Sequence, residues 1–461
     1  MSHSSVVRIF ATTQQPDFDC PWQALPPSSG TGSGVVIEDG RVLTGAHVVA
    51  NSTFLQVQKV SDPKKYVAQV VAICHDCDLA LLSIEDQEFM SGTQSAKIGT
   101  LPTLQDRVSV VGFPVGGEEI SISEGVVSRI EVQRYSHSQR HLLAVTIDAA
   151  INAGNSGGPV FKDGKVVGIA FQKLTKAENI GEMVPAQLIK RFLAAKEDNI
   201  KVHVPGLGIY TQNLENAVLR KHIGLPEQRS GVLIQSVDYG NSAWNILQPG
   251  DALLSLGGLP IANNGTVRYA DTHRTSFRAI LGEHSVGEQL ECEVLRNGQV
   301  CSFHIPLSPR CRLVPSSRYE RLPSYFLYGG LVFQQLCRDF LSTWNDEWWN
   351  QAPKEFLHHY YLGVRTEQQH EVVILSSVLA DPVNIGYQDL GNECVESVNG
   401  VCPRDMKHFV ELIEGADSIV ELRMSSRQVV VLDRQQVTQA TPSLMKRYHV
   451  PRDRSGDLVC Q

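Results

Sequence analysis

The stretch AINAGNSGGPVF at residues 150–161 decides how the rest of the sequence is interpreted. One serine, Ser156, lies among glycines and asparagines, and apolar residues flank it on both sides. Small residues let the backbone turn sharply and let a ligand approach it closely. If Ser156 attacks a carbonyl carbon, the amides of Gly154 and Ser156 are suited to donate to the oxyanion that forms. The alternative interpretation is a plain turn between two strands.

A serine nucleophile needs a general base, and that base needs an acid that orients it. Upstream, the run VLTGAHVV at 42–49 brings His47 to the end of an apolar strand. Between the two blocks, Asp78 opens the apolar run DLALL. Asp76 is an alternative orienting acid, and Asp78 is preferred because it directly precedes the strand. The order histidine, aspartate, serine differs from that of α/β-hydrolases, which disfavours an esterase.

Composition indicates an ordinary globular protein. The length of 461 residues predicts about three domains. The net charge of −8 disfavours nucleic acid and anionic membrane surfaces as partners. No apolar run approaches the roughly 20 residues of a membrane helix, and the first residues show neither a secretory signal nor an Arg/Ser-rich transit peptide.

Ten cysteines are scattered along the chain, which is not the pattern of a disulfide framework and favours a reducing compartment. Cys74 and Cys77 form a CxxC pair beside Asp78. As half of a zinc site the pair lacks a second pair at suitable spacing, so no metal is predicted. Two inert thiols are expected, with a disulfide that strains the Asp78 loop as the alternative.

Short apolar runs separated by turn signals predict an all-β sandwich or barrel. The glycine-rich run GTGSG at 30–34 is interpreted as a tight strand entry, because no Lys-Ser/Thr and no helix follow it as a phosphate loop requires. The predicted strands in this part of the chain are Val6–Phe10, Val42–Thr44, Phe54–Val60, Tyr66–Ile73, Leu79–Ile84, Val108–Phe113, Gly125–Val132 and Leu142–Ile147.

The blocks TGAHVV, DLALL and GNSGGPVF resemble the three catalytic blocks of the HtrA/DegP serine proteases, which have the chymotrypsin-like double β-barrel fold. The resemblance implies that Ser156 is the nucleophile, that His47 is the general base and then acid, and that Asp78 orients the imidazole. It implies an oxyanion hole formed by Gly154 and Ser156, with Asn155 in the same loop. It implies no metal, nucleotide or organic cofactor.

The same resemblance suggests how a substrate is held. The strand from Ile169 through Ala170 and Phe171 to 172 is expected to pair with the substrate backbone. The run NIGEM at 179–183 resembles the loop that walls the specificity pocket. With Ile151 and Ile180 as walls, the pocket is apolar and of modest size, which predicts cleavage after Val, Ile or Ala.

Two later stretches resemble PDZ domains. The run GLGI (Gly206, Leu207, Gly208, Ile209) resembles a carboxylate-binding loop, and LQPGDALLSLGG at 247–258 resembles a turn of HtrA-type PDZ domains. A divergent second copy has GGLVF at the corresponding place, which assigns peptide binding to Gly330, Leu331, Val332 and Phe333. An inserted segment with Trp344, Trp348 and Trp349 is expected to pack on its own domain or, alternatively, to contact another subunit.

The sequence therefore predicts a mainly β chain with a double β-barrel protease domain at 1–200, a linker at 201–205 and two PDZ domains. The PDZ domains are expected at 203–307 and 324–437, and a loosely held polar tail at 438–461. The resemblance implies an ATP-independent endopeptidase that degrades unfolded or damaged proteins, binds peptide C-termini and assembles from trimers. The rival is a non-enzymatic chaperone or scaffold with a resting protease fold.

The motifs PSYF at 323–326, GGLVF at 329–333 and VNIGY at 383–387 resemble plant and algal Deg proteases. The nuclear or nucleolar branch is the nearest, and the chloroplast-stromal branch is second. Because no transit peptide is evident, the nucleus, the nucleolus or the cytoplasm is expected, with the chloroplast stroma as the alternative.

Overall fold

The structure is a computed structural model that describes residues 3–60, 62–114, 119–149, 151, 154–173, 180–195, 201–269 and 273–459. It confirms the mainly β class, and each of the eight strands predicted above overlaps a strand of the structure. The contacts divide the chain into two units. The first comprises Met1–Gln14, Pro27–Val237 and Asn241–Arg310, and the second comprises Gln15–Pro26, Asp238–Gly240 and Cys311–Gln461.

Six antiparallel strands close into a first barrel, because apolar residues alternate along them and face a common core. In the first strand, Val7, Ile9 and Ala11 are at most 4% exposed. The strands are β1 (Val6–Thr13), β2 (Ser28–Val36), β3 (Val42–Thr44), β4 (Ser52–Lys59), β5 (Lys65–Cys74) and β6 (Leu79–Ile84). Their order around the barrel is β1-β2-β3-β6-β5-β4.

A second closed barrel follows in the same unit, with the order β10-β11-β12-β9-β8-β7. Asp163 and Gly164 both have positive φ and form the turn between the strands Pro159–Lys162 and Lys165–Lys173, as an Asp-Gly hairpin requires. The strands are β7 (Arg107–Gly112), β8 (Ser121–Arg134), β9 (His141–Ile147), β10 (Pro159–Lys162), β11 (Lys165–Lys173) and β12 (Gly181–Pro185).

A third sheet completes the first unit. Its order is β13-β14-β15-β19-β20, with β16 paired to β15 and a separate hairpin of β17 and β18. Thr275 of this hairpin accepts a hydrogen bond at its hydroxyl from the amide of Val132 in β8, at 2.8 Å. The strands are β13 (Ile209–Asn213), β14 (Val232–Val237), β15 (Ala252–Leu256), β16 (Leu259–Pro260), β17 (Thr266–Tyr269), β18 (His273–Ser276), β19 (Gln289–Arg296) and β20 (Gln299–Pro306).

The second unit is built on one six-stranded sheet in which the strands follow their sequence order. Phe326, Phe333 and Phe409 pack in its core, and none of them is more than 2% exposed. The strands are β21 (Tyr325–Tyr328), β22 (Leu331–Gln335), β23 (Val373–Val378), β24 (Glu393–Val398), β25 (Ile419–Met424) and β26 (Val429–Asp433).

The helices are short, and none in the described part of the chain is long and apolar enough to cross a membrane. The α-helices are α1 (Ala46–Val49), α2 (Ala186–Ala195), α3 (Ala217–His222), α4 (Arg338–Leu341), α5 (Trp348–Gln351), α6 (Lys354–Leu362), α7 (Met406–Glu414) and α8 (Arg434–Tyr448). The 3₁₀ turns are Glu38–Gly40, Gln87–Met90, Phe277–Glu283, Ser342–Trp344, Pro382–Asn384 and Gly456–Leu458.

The C-terminal segment is not a loosely held tail. It continues in α8, and the side chains of Leu444, Val450 and Leu458 are at most 5% exposed. The backbone after α8 pairs with the edge strand β21, where the Ser455 amide donates to the Tyr325 carbonyl at 3.0 Å. The polar composition misled the sequence-based prediction, because a few apolar residues at suitable spacing are enough to fix a segment against a sheet edge.

The tryptophan segment packs within its own unit, as the first of the two interpretations expected. Trp344 stacks edge-on against Phe340, and Trp348 against Tyr360, at centroid distances of 5.4 and 5.3 Å. Trp349 is 54% exposed.

Candidate active site

His47 and Asp78 form a tight pair in the first barrel. The Asp78 Oδ2 atom lies 2.7 Å from His47 Nδ1, and Oδ1 accepts a hydrogen bond from the His47 amide at 2.8 Å. Asp78 is completely buried, whereas 27% of the His47 side chain is exposed. The two bonds hold the ring in one orientation and leave Nε2 as the atom that can exchange a proton.

Local backbone geometry positions both residues. His47 lies on α1 directly after β3, and Asp78 adopts a positive φ of 56° immediately before β6. A short polar side chain tolerates this left-handed conformation better than most. Gly45 is needed beside them, because a Cβ there would lie 2.7 Å from the His47 ring.

The contact between His47 and Asp78 raises the pKa of the histidine and lowers the pKa of the aspartate, as expected for a catalytic His–Asp pair. Burial lowers the pKa of His47, but the charge of Asp78 and its hydrogen bond outweigh burial, and the net pKa is raised. Burial raises the pKa of Asp78, but the neighbouring His47 and His137 outweigh it, and the net pKa is lowered. Asp78 is therefore ionised at neutral pH and stabilises the imidazolium.

Asp76, the alternative acid, makes different contacts. Its carboxylate pairs with Arg140 at 3.2 Å and accepts from the Val204 amide at 2.9 Å. Burial raises the pKa of Asp76, but Arg140 and the hydrogen bonds lower it to about 2. Asp76 thus fastens the segment 201–205 to the first barrel. That predicted linker is packed rather than open, since Val204 is fully buried.

Ser156 lies in a glycine-rich turn at the junction of the two barrels. Gly157 has a φ of 79°, and a Cβ there would lie 2.3 Å from the Thr44 hydroxyl oxygen. A Cβ on Gly158 would lie 2.5 Å from the Val111 carbonyl oxygen. The glycines of this block are therefore required by close backbone approach rather than by flexibility.

Ser33 holds this turn, and sequence reasoning missed it. Its hydroxyl donates to the Gly154 carbonyl at 2.7 Å and accepts from the Phe113 amide at 2.8 Å, while its own amide donates to the Ser156 carbonyl at 3.0 Å. Ser33 is fully buried in β2, within the run that the sequence predicted as a strand entry. A serine at an inward position among glycines was the available signal.

The backbone amides of the oxyanion-hole candidates are unpaired within the described part of the chain. No hydrogen bond among the described residues engages the backbone N–H of Gly154, Asn155 or Ser156. The Asn155 side chain is fully buried, and neither of its polar side-chain atoms has a partner in the described part of the chain. Unpaired donors beside a nucleophile are what an oxyanion hole needs.

The contact between candidate nucleophile and base is not formed. His47 Nε2 is buried without a hydrogen-bond partner among the residues described, so it makes no hydrogen bond to the Ser156 hydroxyl. Hydrogen bonds between nucleophile and base often tighten only when substrate binds. Of the predicted triad, the bond between His47 and Asp78 is thus formed, whereas the bond between Ser156 and His47 is not.

Two further histidines lie beside this site. The rings of His47 and His137 meet edge-on at 6.3 Å, and His137 Nε2 lies 2.9 Å from His75 Nδ1. His75 belongs to the CxxC loop, whereas nothing in the sequence around His137 indicated this proximity.

The two cysteines of that loop are buried. Cys74 and Cys77 are free thiols, 0% and 2% exposed. Burial and a hydrogen bond with Cys74 raise the pKa of the Cys77 thiol. Because the thiolate is the reactive form, this environment favours two inert thiols over a redox pair.

The run predicted to be a loop beside the specificity pocket is largely a strand, because Gly181–Pro185 form β12. Ile151 is 4% exposed and packs against Gly181, where a Cβ would lie 2.4 Å from its Cδ1 atom. Ile180, half-buried, directly precedes Gly181. Asn179, which the sequence assigned to the same loop, lies outside the described residues.

The expected substrate strand has little free edge. Ile169 and Ala170 are fully buried and pair with β12, and Ala170 also bonds through its backbone to Gly157 and Gly158. The assignment of Ile169 and Ala170 to substrate pairing is therefore corrected, because both belong to the barrel wall. At Phe171 the register with β12 shifts, which leaves this residue without an opposite partner.

The two predicted peptide-binding loops differ. Leu207 is buried in the core of the third sheet, while Gly208 has a φ of 71° and leads into Ile209 at the start of β13. The Gly206 amide donates to the Ser308 carbonyl at 3.1 Å. Among the described strands β13 pairs only with β14, so no described strand occupies the outer edge at which a peptide strand would add.

The second loop offers no such edge. Gly330 forms the turn between β21 and β22, and Leu331, Val332 and Phe333 are fully buried in β22. β22 pairs with β21 on one side and with β23 on the other. The assignment of these four residues to peptide binding is therefore corrected, because an added strand would have to displace β21.

Comparisons with known proteins agree with this architecture. Residues 32–169 match the family of trypsin-like peptidase domains, and residues 314–457 match a PDZ domain family. Among solved structures, the HtrA-type protease AlgW with a decapeptide matches with a TM-score of 0.51 at 22% identity, over 67% of this chain and 96% of that one.

Relatives that span the chain carry the family assignment. Protease Do-like 2, chloroplastic, of Arabidopsis thaliana is 38% identical over 99% of this chain and 75% of its own length. Protease Do-like 4, mitochondrial, of the same plant is 36% identical over 99% of this chain and 86% of its own length. These comparisons do not favour the non-enzymatic alternative. The chain belongs to the HtrA/Deg family of serine endopeptidases, with a trypsin-like peptidase domain and a PDZ domain.

Proposed function

We propose that Ser156, His47 and Asp78 are the catalytic residues of this endopeptidase. The observation that carries the proposal is the His47–Asp78 pair, whose Nε2 has no hydrogen-bond partner among the described residues and whose ring lies close to the turn that carries Ser156. It is supported by the amides of Gly154 and Ser156, which bond to none of the described residues and are suited to an oxyanion.

The proposed reaction needs only these groups. Ser156 Oγ attacks the carbonyl carbon of the scissile peptide while its proton moves to His47 Nε2. The carbonyl oxygen becomes an oxyanion that accepts from the amides of Gly154 and Ser156. His47 then gives the proton to the leaving amine, and an acyl-enzyme remains. Water, deprotonated by His47, attacks the acyl carbon and releases Ser156.

The substrates we propose are unfolded or damaged proteins, cleaved after small or medium aliphatic residues. The packing of Ile151 against Gly181 supports this size, because a branched side chain at that place would leave room only for small or medium substrate residues. Backbone pairing of the substrate would start at Phe171, the residue at the register shift of β11. The open edge of β13 is the proposed docking place for peptide C-termini.

Because Ser156 and His47 are not hydrogen-bonded, we infer a resting state in which binding of substrate or peptide brings the two side chains together. The test is labelling of the full chain by a fluorophosphonate probe, beside Ser156→Ala and the exposed control Ser91→Ala. Labelling that only Ser156→Ala abolishes supports the proposal. If the wild type stays unlabelled with an unfolded substrate and a C-terminal peptide present, the proposed triad is wrong.

Assembly and compartment belong to the same proposal. A homo-oligomer built from trimers is proposed from the family resemblance alone, and light scattering after size-exclusion chromatography tests it. The names of the relatives, chloroplastic and mitochondrial, favour the chloroplast alternative over the nucleus or cytoplasm. Detection of the protein in isolated chloroplast, nuclear and cytosolic fractions would test the compartment.

A further inference from the structure

Three side chains of different chemistry converge in the second unit. Glu355 and His359 lie one turn apart on α6, and Cys394 lies in β24. A carboxylate oxygen, an imidazole nitrogen and the thiol sulfur of these residues are all within 4.8 Å of one another. Cys394 is only 5% exposed, and the other two are half-buried.

This donor set suits one class of ion. Zn²⁺ binds thiolate sulfur at about 2.3 Å, imidazole nitrogen at about 2.0–2.1 Å and carboxylate oxygen at about 2.0–2.2 Å. Ligand atoms around one tetrahedral ion are then about 3.5 Å apart, so the three groups need only small side-chain shifts to share it. A thiolate with an imidazole favours zinc over magnesium or calcium, which prefer oxygen ligands.

A second layer of hydrogen bonds orients the ligands. The Ser425 hydroxyl donates to Glu355 Oε2 at 2.7 Å, and it accepts from the Cys394 amide at 3.3 Å. The Ser425 amide in turn donates to the Cys394 carbonyl at 2.9 Å. Hydrogen-bond partners of this kind hold metal ligands in the right orientation, and their loss typically weakens metal binding by about 10- to 100-fold.

We propose that Glu355, His359 and Cys394 form a three-ligand Zn²⁺ site that fastens α6 to β24 and leaves the fourth position to water. On binding, the ion replaces the thiol proton, which is released to solvent. Two negative ligands then balance the two charges of the ion. The site ties the inserted tryptophan segment to the sheet of its own unit.

The experiment is a Co²⁺ titration of the metal-free, reduced full chain, followed by displacement with Zn²⁺. The expected result is one saturable equivalent with thiolate-to-cobalt charge-transfer absorption that Zn²⁺ abolishes. Cys394→Ser should lose this absorption, and His359→Gln should weaken binding at least about tenfold. The matched controls are Cys402→Ser and His358→Gln, both at exposed positions and one of them the helix neighbour of His359.

Two outcomes overturn the proposal. One is absorption that persists in Cys394→Ser, because another thiol would then hold the ion. The other is no saturable binding by the wild type, which would leave only a hydrogen-bonded cluster. Circular dichroism of the metal-free variants guards against misfolding, and Glu355→Gln, which keeps the side-chain volume, provides a second variant. Zn²⁺ should raise the melting temperature of the wild type but not of Cys394→Ser.

Discussion

The hydroxyl of Ser33, in the first barrel, donates a hydrogen bond to the carbonyl oxygen of Gly154, two residues before the proposed nucleophile, at 2.7 Å. The same hydroxyl accepts from Phe113 at the end of β7 in the second barrel. One small polar side chain therefore links both barrels to the turn that carries Ser156. Because it acts through Gly154 and Ser156, Ser33 is a positioning residue.

Replacing Ser33 by alanine should therefore lower kcat by about 10- to 100-fold with little change in KM, because the turn would lose its alignment while the pocket stays. Steady-state kinetics on an unfolded protein substrate measure both constants. Ser29→Ala, at an exposed position of the same strand, should leave both unchanged. A melting temperature that falls while kcat is retained would show that Ser33 has only a structural role.

Replacing Asp78 by asparagine should reduce kcat by roughly 10³- to 10⁴-fold, since the amide no longer stabilises the His47 cation. Asp76→Asn is the matched comparison, because Asp76 bonds to Arg140 and Val204 instead of His47. Asp76→Asn should lower the melting temperature measurably, whereas its kcat should stay close to that of the wild type. Equal losses of kcat in both variants would contradict the assignment of Asp78.

The acid limb of activity should reflect His47. Its pKa is raised above 6.5, and only the neutral ring acts as a base, so kcat/KM should fall as the pH drops through a value above about 6.5. In Asp78→Asn the charge that raises the pKa is gone while burial remains, and the limb should move to lower pH.

The pH profile of kcat/KM for the wild type and Asp78→Asn measures this difference. His137→Gln controls for the neighbouring ring, 6.3 Å away, and should move the limb less than Asp78→Asn does. A limb that stays in place in Asp78→Asn would mean that another group limits activity.

Replacing Ile151 by alanine should enlarge the specificity pocket, because the Ile151 side chain occupies the space beside Gly181. Preference before the scissile bond should shift from Val, Ile or Ala toward Leu or Phe, by about 10-fold or more in the ratio of kcat/KM. Profiling with a peptide library measures the shift. Leu101→Ala, a change in the same hydrophobic core, is the comparison variant and should leave the preference unchanged. If Ile151→Ala also leaves the preference unchanged, the specificity pocket lies elsewhere.

Much of the site was predictable because its determinants are local. Gly45, Gly157 and Gly158 are close-approach glycines, and such positions appear in the sequence as conspicuous runs of small residues. His47 and Asp78 each adjoin a strand with clear apolar periodicity. The choice of Asp78 over Asp76 agrees with the contacts, although both residues lie in one short turn and only their bonding partners separate them.

Other sequence-based predictions were wrong because they depended on strand partners. The run at 330–333 has the composition of a peptide-binding loop, yet β21 and β23 occupy both of its edges. Likewise, Ile169 and Ala170 were assigned to substrate pairing, but β12 takes that edge. An alternating pattern indicates which face of a strand is buried, and it does not indicate which strand lies beside it.

The sequence by itself determined the mainly β class, most strands of both barrels and the order of the three proposed catalytic residues, since period-2 alternation and glycine-rich turns act over a few residues. Only the tertiary structure decided that Ser33 reaches Gly154 and Phe113, that the C-terminal segment covers β21, and that Cys394 meets Glu355 and His359. These contacts join residues many positions apart. They arise when sheets close and pack, which depends on the whole set of strand pairings rather than on any local pattern.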